Sequence, residues 1–288
     1  MLIGVDRLHR TQGRFEVTRC STCGTGVTFP QASANDLARF YPAEYGAYVA
    51  TSGRITGVLS RVIVSYQTRA AFARAPLVTI ARLGPGRVLD IGCGRGDLAA
   101  AFVTHGWEAV GIDPSAAACA AASARGVDAR PGTLETVELE ARAYDAALFH
   151  HSLEHTDDLR RDLRAVADAL RPEGTLSVTV PNFDCWQRHR FGDRWYHLDL
   201  PRHRVHFTKK GLAEALGRAG FNVESITTST SAVGLPGTIQ YAVFGRCLFP
   251  KGLALRVATG LCALQWPVAR LLDRDDGDQL HAIAHAPR

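Results

Sequence analysis

The stretch Val88-Leu-Asp-Ile-Gly-Cys-Gly-Arg-Gly-Asp97 constrains this chain more than any other. Its first residues read as a buried strand that ends on an acid, and it then passes through three glycines spaced two apart into a helical pattern. Glycines at such a bend let the backbone turn tightly and let a ligand approach without Cβ clashes, while the opening helix offers unpaired N–H groups. A nicotinamide fingerprint would read G-x-G-x-x-G. Here the spacing is G-x-G-x-G, and Asp97 stands where the third glycine would be. Asp90, just ahead of the bend, would repel a pyrophosphate and suits the ammonium group of a zwitterionic amino-acid cofactor.

The rest of the chain repeats the strand, turn and helix alternation. After RVLDI come a helix from Gly96 to His105, WEAVGI, a helix from Pro114 to Arg125, VDAR, YDAALF, a helix near Asp158 to Leu170, and GTLSVTV. Short apolar runs between helices imply a parallel sheet with right-handed crossovers, whose ligands bind at the carboxyl ends of the strands. A capped helix after Thr208 stops at Gly220, FNVESITT follows as a sixth strand, and LHAIAHA near residue 280 reads as the last. The expected fold is therefore α/β: a doubly wound, seven-stranded, Rossmann-like sheet, mostly parallel, with one antiparallel terminal strand. Three zones are expected: a cysteine-knuckle segment over 1–50, a helical bridge over 51–83, and a main domain over 84–288 with a helical insertion at about 232–275.

Asp113 ends the second strand of this unit, 23 residues after Asp90, where doubly wound folds hold ribose hydroxyls. With strand, acid, glycines, helix, strand and second acid in order, the sequence resembles the class I S-adenosylmethionine-dependent methyltransferases, in particular a bacterial subfamily with a cysteine-bearing N-terminal segment. The resemblance implies S-adenosyl-L-methionine as cofactor, with Asp90, Gly92, Cys93, Gly94 and Gly96 against its methionine part and Asp113 on its ribose. It also implies Thr133 and Leu134 of the PGTLE turn beside the adenine, and His150 of FHHSLEH near the sulfonium. These motifs say little about the acceptor.

Methyl transfer from a sulfonium is an in-line displacement, so a proton acceptor is required only where the acceptor atom carries a proton. His151 and His155 follow the fourth strand of the main sheet and face the expected cleft as candidate bases, with helix capping and packing as the competing role. The stretch Arg194 to Thr208 places Tyr196, His197, His203 and His206 among arginines. It reads as a substrate-facing lid that excludes water, against the alternatives of a charged surface loop or an RNA-contact strip. The formal charge of +5 on 288 residues does not call for nucleic acid, and a small-molecule substrate is expected.

Cys20-Ser-Thr-Cys23 has the shape of one zinc knuckle, half of a four-thiolate site. The resemblance implies a second pair upstream that this sequence does not contain, with Asp6 and His9 the only similarly spaced residues, so zinc is the less favoured reading. Seven cysteines in an odd, scattered set fit a reducing compartment, and the N-terminus has no secretory pattern, so a cytoplasmic enzyme is expected. The apolar segment Leu253 to Leu272 carries spaced basic residues and has three readings: a cover over the acceptor pocket, a dimer contact, or peripheral contact with a membrane. The functional expectation is methylation of a small polar metabolite, a sugar, phenol or secondary-metabolite hydroxyl. Its rivals are a non-catalytic cofactor-binding or partner-binding protein, and a methyltransferase of a lipid-like or RNA substrate.

Overall fold

The computed structural model describes residues 1–31, 84–231, 233–247 and 276–288, together with 40, 41, 77, 80, 81 and 271. The expected bridge over 51–83 and the apolar segment 253–272 therefore both fall almost entirely outside the described residues. In chain order the N-terminal strands are β1 (Leu2–Gly4), β2 (Phe15–Arg19) and β3 (Gly26–Phe29). The main unit follows with β4 (Arg87–Ile91), α1 (Asp97–Val103), β5 (Glu108–Asp113), α2 (Ala116–Ser123), β6 (Asp128–Pro131) and β7 (Tyr144–His150). It continues with α3 (Leu159–Ala169), β8 (Leu170–Pro181), α4 (Trp186–Phe191), β9 (Val205–His206), α5 (Lys209–Arg218), β10 (Asn222–Ser229), α6 (Gly234–Phe244) and β11 (Gln279–His285).

Seven strands form one sheet in the order β10-β11-β8-β7-β4-β5-β6. β4 runs parallel to β5 and β7, and β7 parallel to β8, while β11 inserts antiparallel between β8 and β10. This is the expected sheet, including its antiparallel terminal strand. The central strands are sealed on both faces. Along β4, Val88 joins Leu98, Phe102 and Trp107 on one side, while Leu89 and Ile91 join Phe149, Leu163 and Val178 on the other. That alternation follows from the period of two in a strand, and burial on both faces explains the continuous apolar runs in the sequence.

The helices begin where side chains supply the missing acceptors. Ser115 accepts from the Ala118 N–H at the start of α2. Asp158 accepts from the Arg160 and Arg161 N–H groups at the start of α3, and Thr208 from the Gly211 N–H at the start of α5. One boundary differs from expectation. β8 starts at Leu170 rather than near Gly174, because Leu170 pairs with Tyr144 before a register shift.

The N-terminal residues make a second sheet in the order β1-β2-β3-β9. β2 and β3 form a hairpin across the Cys20 to Thr25 turn, and β3 pairs antiparallel with β9, Gly26 opposite His206 and Val27 opposite Val205. The segment 194–208 is thus the seam between the two sheets. Trp195, Leu198, Leu200, Arg202, Arg204 and Phe207 are all buried, so this stretch is interior structure rather than a solvent-facing loop.

Arg202 holds the seam. Its side chain is fully buried and donates to Asp6 Oδ1 and Oδ2 at 2.8 and 3.2 Å, to Asp199 Oδ1 at 2.6 Å, and to the Phe40 carbonyl at 3.2 Å. Asp6 also accepts from the N–H groups of Leu8, His9 and Thr11. Burial works to raise both carboxyls, and the Arg202 guanidinium outweighs it, holding Asp6 and Asp199 below the usual carboxylate range. A buried charge group left without its partner is costly. Arg202→Met should therefore lower unfolding stability by about 3–5 kcal/mol, measured by urea denaturation, and a loss under about 1 kcal/mol would show that the clamp contributes little.

Candidate functional site

The acid and the three glycines come together at the tip of β4 in a bend that only glycine can make. Gly92, Gly94 and Gly96 have φ of 73°, 52° and 70°, all left-handed. At Gly92 a Cβ would lie 2.5 Å from Ser152 Cβ, and at Gly96 it would lie 2.8 Å from Ala122 Cβ. Ser152, just past β7, also donates its hydroxyl to the Ile91 carbonyl at 2.5 Å, so the ends of β4 and β7 are locked edge to edge. From the other side, Asp113 accepts from the Gly94 N–H at 2.9 Å and the Ser115 N–H at 2.8 Å. Each Asp113 oxygen retains a lone pair that a ribose hydroxyl could use.

Asp90 is 2% exposed. Burial first, and then the neighbouring Asp113, push its carboxyl up to about 7. Asp113 is raised as well, again mainly by burial. Two buried acids, one raising the other's carboxyl, form a site that gains from an incoming cation. Cys93 contributes backbone rather than thiol to this bend: it is buried, its Sγ lies where a Cβ on Gly111 would meet it at 2.7 Å, and burial raises its pKa far above the usual thiol range. Thr133 is exposed in the turn after β6, its N–H bonded to Thr136 Oγ1 at 2.9 Å, while Leu134 packs against the main core. His150 ends β7 with its ring 4.9 Å from that of His151.

The remaining sequence-derived residues separate into distinct environments. His151, His155 and His203 converge on Glu154, which is 1% exposed. His151 Nδ1 lies 3.5 Å and His203 Nε2 3.9 Å from Glu154 Oε1, and the rings of His155 and His203 meet edge to face at 4.8 Å. His197 turns away to Ser231 Oγ at 3.0 Å and Asp278 Oδ2 at 3.4 Å. His206 donates to Thr28 Oγ1 at 2.9 Å and lies against Phe183. Its Nε2 must carry the proton, because the Thr28 hydroxyl is itself donated to the His203 carbonyl at 2.7 Å. Tyr196 packs on Tyr241 and against Gly237 of α6.

His151 is the strained member, with φ of 56°. Its Nε2 lies 3.0 Å from the Gln279 amide nitrogen, which caps the lone pair and turns Nδ1–H toward Glu154. Burial works to raise the Glu154 carboxyl, and the imidazoles of His151, His155 and His203 hold it down to about 2 insofar as they carry charge. Burial opposes that charge, bringing His203 down to about 4 and His206 to about 3. We take His203 as neutral at neutral pH, since it is sealed and its Nδ1–H already donates to the His197 carbonyl at 2.9 Å.

Sequence reasoning passed over Glu154 as a site residue, as well as Ser152, Arg202, Asp278 and Gln279. The EH pair at a strand end was the available signal for Glu154; the others act through contacts more than 60 positions away or through backbone approach. At the knuckle, the Cys20 thiol is exposed and brought down to about 7 by the N–H groups of Cys23 and Thr22. Asp6 is committed to Arg202 rather than to the cysteines.

Comparison with known proteins accords with this geometry. Residues 65–226, more than half of the chain, match the family described as "Methyltransferase domain". The chain is similar to the ubiquinone biosynthesis O-methyltransferase of Bradyrhizobium sp. (strain ORS 278), 36% identical over 102 residues that cover 33% of this chain and 40% of that one. It is also similar to the enzyme of the same name from Azorhizobium caulinodans, 29% identical over 152 residues covering 49% and 60%. The match thus spans less than two thirds of these relatives. Among solved structures, the [4+2]-cyclase SpnF superposes with a TM-score of 0.56 at 22% identity, covering 89% of this chain and 97% of the cyclase. A putative sarcosine dimethylglycine methyltransferase from Galdieria sulphuraria gives 0.54 at 11%, covering 87% and 97%. These two likenesses establish the fold. The sheet order and the glycine bend define a doubly wound domain of the methyltransferase class. With the family match, this chain belongs to the methyltransferase-domain family, as the resemblance implied.

The raised Asp90 carboxyl has a stability consequence in the ligand-free protein. The folded group keeps its proton up to about pH 7, while the unfolded one loses it near 3.8. The native state binds the extra proton between these values, so stability falls as pH rises from about 4 to 7. Asp90→Asn should remove that loss, gaining on the parent by at most about 4 kcal/mol at pH 8 and by nothing below pH 4, as read from denaturation across pH. Gly92→Ala should destabilise the chain and Ser152→Gly should partly restore it, because the clash is with that side chain; additive losses in the double variant would contradict the packing.

Proposed function

We propose that this chain transfers a methyl group from S-adenosyl-L-methionine to an oxygen of a small polar metabolite, such as a sugar, phenol or secondary-metabolite hydroxyl. The observation that carries this reading is the buried Asp90 beside three left-handed glycines, a carboxylate whose ionisation costs least when a cation sits against it. The residues fit the donor: Asp90 for its ammonium group, the Gly92 to Gly96 backbone for close approach to its methionine part, the remaining lone pairs of Asp113 for ribose hydroxyls, and the Thr133 to Leu134 turn for the adenine. When bound, the donor supplies an electrophilic methyl on a positively charged sulfur. The names of the Bradyrhizobium and Azorhizobium relatives support oxygen as the acceptor atom.

The chain's own contribution is to position the reactants and to accept a proton. His151 keeps 32% of its side chain exposed beside the sealed Glu154, and its Nδ1–H faces that carboxylate. Once the Gln279 amide moves off Nε2, that nitrogen can take the acceptor's proton, and Glu154 stabilises the imidazolium. His155 and His203 line the same carboxylate rather than a separate acceptor subsite. The free thiols at Cys20, Cys23, Cys93 and Cys119 support a reducing, cytoplasmic setting.

Calorimetry with S-adenosylhomocysteine tests the donor site. Asp90→Asn and Gly94→Trp should each weaken binding by more than about tenfold, or about 1.4 kcal/mol, and unchanged affinity in both would overturn the placement. Donor affinity in the parent should rise as pH passes about 7, because Asp90 then ionises, and it should stay flat in Asp90→Asn. For the base, His151→Ala should lower kcat by about 100-fold or more while donor affinity holds; an unaffected rate removes His151 from that role.

A further inference from the structure

Glu154 raises a problem of charge that the residues around it do not solve. It is 1% exposed, and its nearest donor, His151 Nδ1 at 3.5 Å from Oε1, leaves both carboxylate oxygens without a hydrogen bond of normal length. A buried carboxylate with unsatisfied oxygens costs several kcal/mol. The groups facing it are imidazoles. Among the described residues, Glu154, His155 and His203 are the one cluster in which a carboxylate oxygen and one nitrogen of each of two rings all lie within 4.8 Å of one another.

The tautomers sharpen the point. His155 Nδ1 lies 2.9 Å from the Arg202 carbonyl and also 2.9 Å from the Tyr41 hydroxyl. His203 Nδ1 lies 2.9 Å from the His197 carbonyl. A carbonyl only accepts, so both rings carry their proton on Nδ1 and keep the Nε2 lone pair. Donation of the second ring N–H to a backbone carbonyl is how proteins orient histidines that bind metal through the other nitrogen. Both carbonyls belong to the 194–208 seam, and Arg202 itself is locked between Asp6 and Asp199, so the two rings are held in place before any ion arrives.

We propose that Glu154, His155 and His203 bind a divalent transition-metal ion through one carboxylate oxygen and two imidazole Nε2 atoms. The donor set is borderline in softness, which suits Zn²⁺, Co²⁺, Mn²⁺ or Fe²⁺ over Ca²⁺. Three protein donors leave coordination positions for water or for an oxygen of a ligand. Glu154 follows Ser152 by two residues, and Ser152 packs on the glycine bend, so the ion would stand at the same end of the sheet as the donor site. The site is independent of the methyl-transfer reading, because it is defined by metal content and not by turnover.

The test uses the full chain carrying Cys20→Ser and Cys23→Ser, so that thiolates of the knuckle cannot supply the ion. After equilibrium dialysis against Co²⁺, this protein should retain one ion per chain and show d–d absorption without a thiolate charge-transfer band. Glu154→Gln and His203→Ala should each reduce Co²⁺ affinity by at least about tenfold, with circular dichroism confirming the fold. A check that needs no change at the three proposed ligands is proton NMR of the same Co²⁺-loaded protein, where two exchangeable imidazole N–H resonances should be paramagnetically shifted. Failure to retain Co²⁺, unchanged affinity in both variants, or absence of shifted N–H resonances would each overturn the proposal and would mean that protons on the imidazoles neutralise Glu154.

Discussion

The contact between Gly92 and Ser152 is the constraint on which the rest of the site depends. Where β4 ends, the side chain after β7 comes so close that any Cβ at position 92 would overlap it. The approach puts the Ser152 hydroxyl on the Ile91 carbonyl and leaves the bend free to receive Asp113 through the Gly94 N–H. Two strand ends and the start of a helix are fixed by these contacts, and Arg95, within the bend, pairs with Asp97 at 3.3 Å. Burial and the neighbouring Asp113 both raise the Asp90 carboxyl, so its ionised form gains from a cation placed against it.

A second constraint is the buried Arg202. It ties the N-terminal segment to the 194–208 stretch, since Asp6 lies between β1 and β2 and Asp199 in that stretch. A segment held this way cannot act as a mobile lid. Its histidines are distributed by that packing, His206 to the small sheet, His197 to Asp278, and His203 to Glu154. Similar residue types at neighbouring positions thus have different partners, because adjacent residues in a buried turn point into different compartments.

The fold leaves the reaction open. The [4+2]-cyclase SpnF and the putative sarcosine dimethylglycine methyltransferase resemble this chain in fold about equally, so the chemistry must be argued from the bend, the acids and the imidazoles. Those groups lie at the carboxyl ends of β4, β5 and β7, where a doubly wound sheet exposes unpaired backbone and loops.

The sequence by itself determined the seven-stranded sheet, the position of the glycine bend, and Asp90 and Asp113 as its acids. These are local matters: an apolar run of strand length, a turn that demands left-handed residues, and an acid at a strand end are all written within a few residues of one another. The tertiary structure alone decided that Gly92 yields to Ser152, that Cys93 turns its thiol into the core, that β3 pairs with β9, and that Glu154 collects three imidazoles. Each of these joins residues brought together by strand order or chain return, and the energy that selects them, the desolvation of a buried charge or the overlap of two Cβ atoms, has no counterpart in the linear pattern.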